Sequence, residues 1–554
     1  MRTFQDKVVY QIYPRSFQDS NGDGIGDLGG IIQRLDYLQA LGVDYLWITP
    51  VFPSPQNDNG YDVSDYCSID PVFGTMEDLE TLIQEGKKRN IGLMLDMVFN
   101  HTSTQHPWFQ RALAGDKKYQ DFYIFHDGEE NRPPTNWISK FGGPAWEYVP
   151  ELKKWYLHLF DVTQADLNWD NPAVRQELKQ VISFWKEKGI EGFRFDVVNL
   201  ISKPEQWEND YEGDGRRFYT DGRRVHEFLK WRVRDTGIGE MITVGEMSST
   251  SLENCVRYSG PEEKELTMCF HFQHLKTDYK NGDKWELMET DRQQLKRLFQ
   301  VWQEKMAEKG AWDALFWSNH DQPRIVSRMG SEGQYWKESA KMLAAAIHLM
   351  RGTPYIYQGE EIGMTNPHFR TIDQYRDVES LHYYEILKKN GKTEEEVLEI
   401  LGARSRDNSR TPMQWTSGKN GGFSQAEPWI PMADHADRIT VEAQEKEADS
   451  ILGFYKKLIA VRKANPVIAE GSIAFMETEN PDVLAYERCL GEGRILVWNN
   501  RTERKISLSV SREEMEKTEN WKYLLGNYQD EGKWEKGELI LRPYETLALE
   551  WREK

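Results

Sequence analysis

Gly192-Phe-Arg-Phe-Asp196 is a short apolar run that ends in an acid. Alternation along a strand puts Arg194 and Asp196 on one face. Seven more runs of the same character occur along the chain. They lie at 7–12 (KVVYQI), 43–49 (VDYLWIT), 92–98 (GLMLDMV), 242–246 (ITVGE), 267–272 (TMCFHF), 313–318 (DALFWS) and 354–358 (PYIYQ). Helical patterns separate them. Residues 30–41 carry apolar positions at helical spacing and stop at Gly42. Residues 75–90 open with Thr75 and Asp78, a capping pattern, and 171–189 open with Asn171 before Pro172. Eight strands alternating with helices predict an α/β fold, a parallel (β/α)8 TIM barrel.

Two stretches depart from that alternation. Residues 102–170 are rich in Gly, Pro, Asn and Trp without clear helical periodicity, and predict a small inserted domain after the third strand. From 475 onward VLAYERC, RILVWNN, KISLSV, ELILRP and TLALEW read as short strands. The expected division is a barrel over 1–101 and 171–474, an insert over 102–170 and an all-β sandwich over 475–554.

The composition is globular, with 39% hydrophobic and 29% charged residues in a chain of 554. The net charge of −20 argues against a nucleic-acid partner. It also means that an anionic substrate would need local cations against an adverse overall field. The 20 Trp and 25 Tyr suit either core packing or sugar-stacking platforms. Four scattered cysteines without a CxxC pair give no disulfide framework or zinc site. The opening MRTFQDKVVYQIYP has no apolar signal region, and the apolar stretch 342–350 is too short to span a bilayer. A cytoplasmic protein with no membrane partner is expected. The oligomeric state stays open, and a monomer is compatible with the sequence.

In such barrels the active site lies at the C-terminal ends of the strands. Asp196, Glu246 and Asp321 all fall there, the last two in Thr243-Val-Gly-Glu246 and Ser318-Asn-His-Asp321. Retaining glycoside hydrolysis needs an ionised carboxylate nucleophile and a carboxylic acid that first gives and then takes a proton. Arg194 beside Asp196 is expected to keep the nucleophile ionised. Acids at strand ends also form structural ion pairs. That reading would prevail for one residue; it does not for three at one barrel mouth.

The segments Asp96–His101, Gly192–Asp196, Val244–Glu246, Ser318–Asp321, Gln164–Trp169 and Gly352–Glu361 resemble the α-amylase superfamily, glycoside hydrolase family 13. The resemblance falls in its oligo-1,6-glucosidase-like branch and covers nearly the whole chain. It implies Asp196 as nucleophile, Glu246 as acid/base and Asp321 as transition-state stabiliser. It further implies that Asp62, His101, Arg194, His320 and Arg410 grip the non-reducing glucosyl unit, with Phe160 and Gln164 as pocket wall. Val197 resembles the branch that avoids α-1,4 linkages. No organic cofactor is implied.

Within that branch, Leu159–Asp166, Glu212–Arg216, Phe218–Asp221, Glu246–Thr250 and Phe272–Trp285 are similar to hydrolases of phosphorylated α-(1,1)-glucosides. The implied substrate is a small phosphorylated disaccharide, α,α-trehalose 6-phosphate, cleaved to glucose and glucose 6-phosphate. The loop after the sixth strand holds His274, Lys276, Lys280 and Lys284 around a turn at Asn281-Gly282. By itself it reads as a solvated charged loop. With the resemblance it becomes the expected phosphate site, Lys276 and Lys284 ahead of Lys280. Arg216, Arg217, Arg223 and Arg224 form a second candidate patch. The alternatives are an oligo-1,6-glucosidase, a sucrose-isomerising relative, or a non-catalytic transporter-associated subunit.

Asp19-Ser-Asn-Gly-Asp-Gly-Ile-Gly-Asp27 sets oxygen donors at alternate positions, like the first part of an EF-hand loop, but the twelfth position is Gly30. An Asx-turn loop would look the same. Related hydrolases bind calcium at this motif, so a structural Ca²⁺ held by Asp19, Asn21, Asp23, Ile25 and Asp27 is the expectation.

Overall fold

The computed structural model describes residues 4–476, 480–509, 520–529, 532–535 and 538–551. Each of the eight runs forms a strand: Val9–Ile12, Tyr45–Ile48, Gly92–Met97, Gly192–Phe195, Ile242–Met247, Met268–His271, Ala314–Leu315 and Thr353–Tyr357. They pair in parallel in chain order, and the first also pairs with the eighth. A parallel bridge between Cys269 and Asp313 joins the sixth to the seventh and closes the barrel. Both faces of each strand are covered, which is why the runs are continuously apolar instead of alternating.

Register then sets the chemistry. Asp96 lies opposite Arg194, and Gly245 lies opposite Phe195. Asp196 and Glu246 each stand one residue further on, so they face each other across neighbouring strands at the C-terminal mouth.

The outer helices follow their end signals. Met76–Lys88 starts with a reciprocal capping box between Thr75 and Asp78. Pro172–Lys188 starts at Asn171 and ends at Gly189, whose φ of 98° needs no Cβ to be accommodated. The stretch expected as one helix over 30–41 is two, Leu28–Gln33 and Leu35–Leu41, broken at Arg34. Arg34 is held at the break by Gln18 and lies over the Trp415 ring.

The insert is more ordered than its composition suggests. It holds two short helices, Pro107–Leu113 and Lys117–Gln120, and a three-stranded antiparallel sheet. A ribbon of His101–Ser103 with Gln164–Asp166 fastens its base to the barrel mouth. A second elaboration, unmarked in the sequence reading, follows the eighth strand. Helices Val378–Lys389 and Glu394–Arg404 pack with Trp285, Tyr375 and Ile430 in their own small core.

The C-terminal domain consists of a five-stranded and a three-stranded antiparallel sheet. Its first strand is Ser472–Met476, which straddles the boundary read at 475. Strands Trp521–Gly526 and Lys533–Glu535 add to the five runs read from sequence, and Val510 of KISLSV lies outside the described residues. Trp47, Trp169, Trp185, Trp312, Trp317 and Trp415 are fully buried, so these rings serve the core.

Candidate active site

Arg194 organises the acids. Its Nη1 donates to Asp96 (2.6 Å) and to Asp196 (2.7 Å), and its Nη2 contacts Glu246. Asp196 and Glu246 thus share one guanidinium, and retaining chemistry calls for two carboxyls about 5 Å apart. Asp96 is buried beneath them, accepting from Trp47 (3.1 Å) and Tyr61 (2.9 Å).

The electrostatics differ from the expectation for Asp196. Burial pushes its carboxyl up, Arg194 pulls it down, and Asp96 and Asp321 push it up again; the result is about 7. Arg194 acts in the anticipated direction but does not outweigh desolvation. Asp321 goes the other way. Burial opposes its ionisation, yet His320, Arg406 and Arg410 hold it well below the usual carboxylate range. His320 is itself buried and pushed down to about 3, so at neutral pH the arginines carry that effect. Arg410 Nη2 lies 2.7 Å from Asp321, with Arg406 at 3.5 Å.

Val197, directly after Asp196, has φ of 33°. A β-branched residue there is strained, and such strain persists where the surroundings over-determine it. Its side chain joins the pocket wall beside the acid.

The pocket around the acids is lined by Asp58, Tyr61, His101, Phe141, Phe160 and Arg406. His101 is neutral, since burial brings it down to about 4. Its Nε2 meets Gln164 Nε2 (3.2 Å) and the Tyr61 carbonyl (3.1 Å). Tyr61 stacks on His320, whose Nδ1 meets Gln11 and whose Nε2 lies 3.2 Å from Asp321 Oδ2. Gln164 stands behind the wall and donates to Asp58 (3.0 Å).

Asp62 is the departure. It is fully buried and faces away, accepting from Ser54 Oγ and from the backbone of Asn57 and Asp58. Asp58 takes the pocket position instead, 2.8 Å from Arg406. The two acids flank Asn59 and Gly60, both at positive φ. That reversal of the chain turns one inward and sets the other to brace the loop.

The pocket opens into a second compartment lined by Lys140, Arg216, Ser248, Ser249, Lys276, Lys284 and Tyr383. Lys140, Lys276 and Lys284 line both spaces. Lys140 Nζ donates to Ser248 Oγ (3.0 Å) and Lys276 Nζ to Ser249 Oγ (3.2 Å). Burial pushes both lysines down, Lys140 to about 7, with Arg216 adding to each. Lys284 differs. It pairs with Glu379 at 2.5 Å and lies over Trp285.

The remaining cations of the sequence reading lie elsewhere. Lys280 is exposed on the Asn281-Gly282 turn. His274 is buried among Phe299, Phe316 and Trp317, meets the Phe316 carbonyl at 3.0 Å, and is pushed down to about 3. Of the arginine patch, Arg216 reaches the compartment, while Arg217, Arg223 and Arg224 are paired with acids outside it. Sequence reading missed Lys140, Asp58, Arg406 and Glu379. Lys140 comes from the insert, and Arg406 and Glu379 from the helical segment after the eighth strand.

No residue of the Asp19–Asp27 loop lines this pocket. Asp19 accepts from the backbone of Asn21, Gly22 and Gly24 and from Ser424, while Asp27 caps the following helix at Gly30. Among the described residues, no three His, Cys, Asp or Glu side chains group to hold a metal, though Asn21 and the Ile25 carbonyl fall outside that donor set. No helix among them is long and apolar enough to cross a membrane.

Comparison with known proteins agrees with this architecture. The family model of the α-amylase catalytic domain matches residues 11–471, and that of the maltogenic amylase C-terminal domain matches 473–547. The chain is 51% identical to the trehalose-6-phosphate hydrolase of Bacillus subtilis, covering 98% of this chain and 97% of that one. It is equally identical to the enzyme of that name from Escherichia coli, covering 100% and 99%. The crystal structure of Bacillus licheniformis trehalose-6-phosphate hydrolase superposes with a TM-score of 0.95 at 50% identity over the full length of both chains. With three acids at one barrel mouth and likeness of this extent, the chain belongs to the α-amylase family of glycoside hydrolases.

Proposed function

We propose that the protein hydrolyses α,α-trehalose 6-phosphate to glucose and glucose 6-phosphate with retention of configuration. The observation that carries this reading is the pair Lys140 and Lys276. Both are held by hydroxyls and neither forms an ion pair with an acid among the described residues, in a compartment continuous with the catalytic pocket. Burying an uncompensated ammonium is costly, and an anionic ligand offsets that cost. Lys284 is already neutralised by Glu379, so the phosphate role moves from the expected Lys276–Lys284 pair to Lys276 with Lys140.

In this mechanism Asp196 attacks the anomeric carbon while Glu246 gives its proton to the oxygen leaving with glucose 6-phosphate. Glu246 then takes a proton from water, which attacks the glucosyl ester and frees glucose. Asp321, kept ionised by its arginines, binds sugar hydroxyls and stabilises the oxocarbenium-like transition state. Asp58, His101 and His320 hold the glucosyl unit, with Phe160 as wall. Gln164 and Arg194 position them from behind, and Arg410 steadies Asp321.

The test compares trehalose 6-phosphate, trehalose and isomaltose on the pure protein. The expected result is a strong preference for the phosphorylated sugar. Equal turnover of trehalose would remove the phosphate claim, and preference for isomaltose would favour an oligo-1,6-glucosidase. A phosphorylated sugar is retained on the side of the membrane where it is made, which supports a cytoplasmic location.

We also infer a structural Ca²⁺ at Asp19, Asn21, Asp23, the Ile25 carbonyl and Asp27. All five donors are hard oxygens, which suits calcium. Asp19 and Asp27 would share their carboxylates between the ion and backbone N–H groups. No catalytic step uses it. Chelation is expected to lower Tm and added calcium to restore it; an unchanged Tm would remove the ion.

A further inference from the structure

The two hydroxyls that hold the lysines are not neutral furniture. Ser248 and Ser249 follow Glu246 by two and three residues, at the end of strand Ile242–Met247. The phosphate compartment is therefore built on the same short stretch of backbone that carries the acid/base. This turn is tightly determined. Ser249 has φ of 65°, unusual for a residue with a side chain. The Ser248 N–H donates to Asn199 Oδ1 (2.9 Å), and Gln273 donates to the Thr250 carbonyl (3.1 Å). Asp221 accepts from Asn199, Thr250, Asn254 and Tyr258. Asn199 itself lies three residues after Asp196. One hydrogen-bonded unit thus spans the stretches that follow both catalytic acids, and on the compartment side Lys140 and Lys276 join it through the two serine hydroxyls.

We propose that the Ser248–Ser249 turn transmits phosphate occupancy to Glu246, so that the phosphate raises the chemical rate as well as the affinity. Ser248 and Ser249 act as positioning residues. A phosphate dianion drawn to Lys140 and Lys276 competes with the serine hydroxyls for their ammonium protons and takes hydrogen bonds of its own. The turn then settles in the arrangement that presents Glu246, which contacts Arg194, to the glycosidic oxygen. Binding energy from a remote, non-reacting group is then used in the transition state. The proposal rests on the phosphorylated-substrate reading above, and its test separates the two.

The experiment delivers the substrate in two pieces. Intact protein is assayed with trehalose, with and without inorganic phosphite as a free dianion. The expected result is a rise in kcat for trehalose of about 10-fold or more, since the phosphite supplies the remote interaction in trans. α-Glucosyl fluoride, whose leaving group needs little protonation, is expected to show no rise. In Ser248→Ala and Ser249→Ala the activation ratio should fall toward one. The conservative Ser248→Thr should restore it in part, which a merely folding-related loss would not do. Phosphite that only inhibits, or that activates the fluoride equally, would overturn the coupling. So would a Lys140→Met variant that raises KM for trehalose 6-phosphate at unchanged kcat. If trehalose 6-phosphate is no better a substrate than trehalose, the phosphate reading itself fails, and this inference with it.

Discussion

Asp196 must be a charged nucleophile in a place that disfavours charge. Its carboxyl titrates near 7, so the active ionised form is lost as pH falls. The acid limb of kcat/KM is expected with an apparent pKa near 7, and a profile flat down to pH 5 would contradict it. The sign for stability is opposite. The folded pKa lies above the unfolded value of about 4, so the stabilising contribution of the bound proton is present below that value and lost as pH rises through 7. Asp196→Asn should abolish turnover by at least ~10³-fold while raising Tm at pH 8, because a neutral amide removes the buried charge. A lower Tm in that variant would mean that Arg194 depends on Asp196 more than on Asp96 and Glu246. Legibility at this scale was uneven for a physical reason. Asp196, Glu246 and Asp321 close strands or the turns just after them, and strand ends in a barrel converge whatever the loops do. Asp58 and Asp62 are both acids of one loop, and only the dihedral angles of Asn59 and Gly60 decide which faces the sugar.

At the scale of elements, the compartment beside the acids is assembled from five separate parts of the chain, Arg216 and the Ser248–Ser249 turn supplying two of them. Lys140 comes from the insert, Lys276 and Lys284 from the loop after the sixth strand, and Glu379 from a helix after the eighth. The strands were legible because burial on both faces leaves continuous apolar runs. The meeting of Lys140 with Ser248 spans 108 residues and leaves no local pattern. The helices Val378–Lys389 and Glu394–Arg404 bury only a few residues each, most of them in their own small core, which blurs their periodicity. A prediction belongs here. Lys140 is pushed down to about 7, beside Arg216, Lys276 and Lys203 and opposite Asp214. A phosphate monoester becomes a dianion above about pH 6. The advantage of trehalose 6-phosphate over trehalose should therefore peak near pH 6–7 and decline above it, as Lys140 loses its proton. Taking the ratio of the two substrates cancels the titration of Asp196. Lys140→Arg should extend the advantage to higher pH; an unchanged profile would exclude Lys140 from phosphate contact.

Across the whole molecule, the C-terminal domain is fastened to the barrel by a buried cation. Arg488 donates to the carbonyls of Leu349, Gly471 and Ser472, and Tyr486 donates to that of Ala346. Arg488→Leu would remove three hydrogen bonds, two of them buried, and should cost about 3 kcal/mol. A clear fall in Tm with kcat preserved is expected, since the site lies at the other end of the strands. A fall in kcat at unchanged Tm would point to a functional link between the domains.

The lysines are recessed inside a chain whose net charge is −20. From a distance, a dianionic sugar meets repulsion; only at the mouth does it meet attraction. Dissolved ions shorten the reach of the distant field to about 10 Å at 0.1 M, while buried cations are screened much less. Capture of the phosphorylated sugar should thus become faster as salt rises from a few millimolar toward physiological strength. That is the reverse of the slowing seen when an oppositely charged surface steers its ligand.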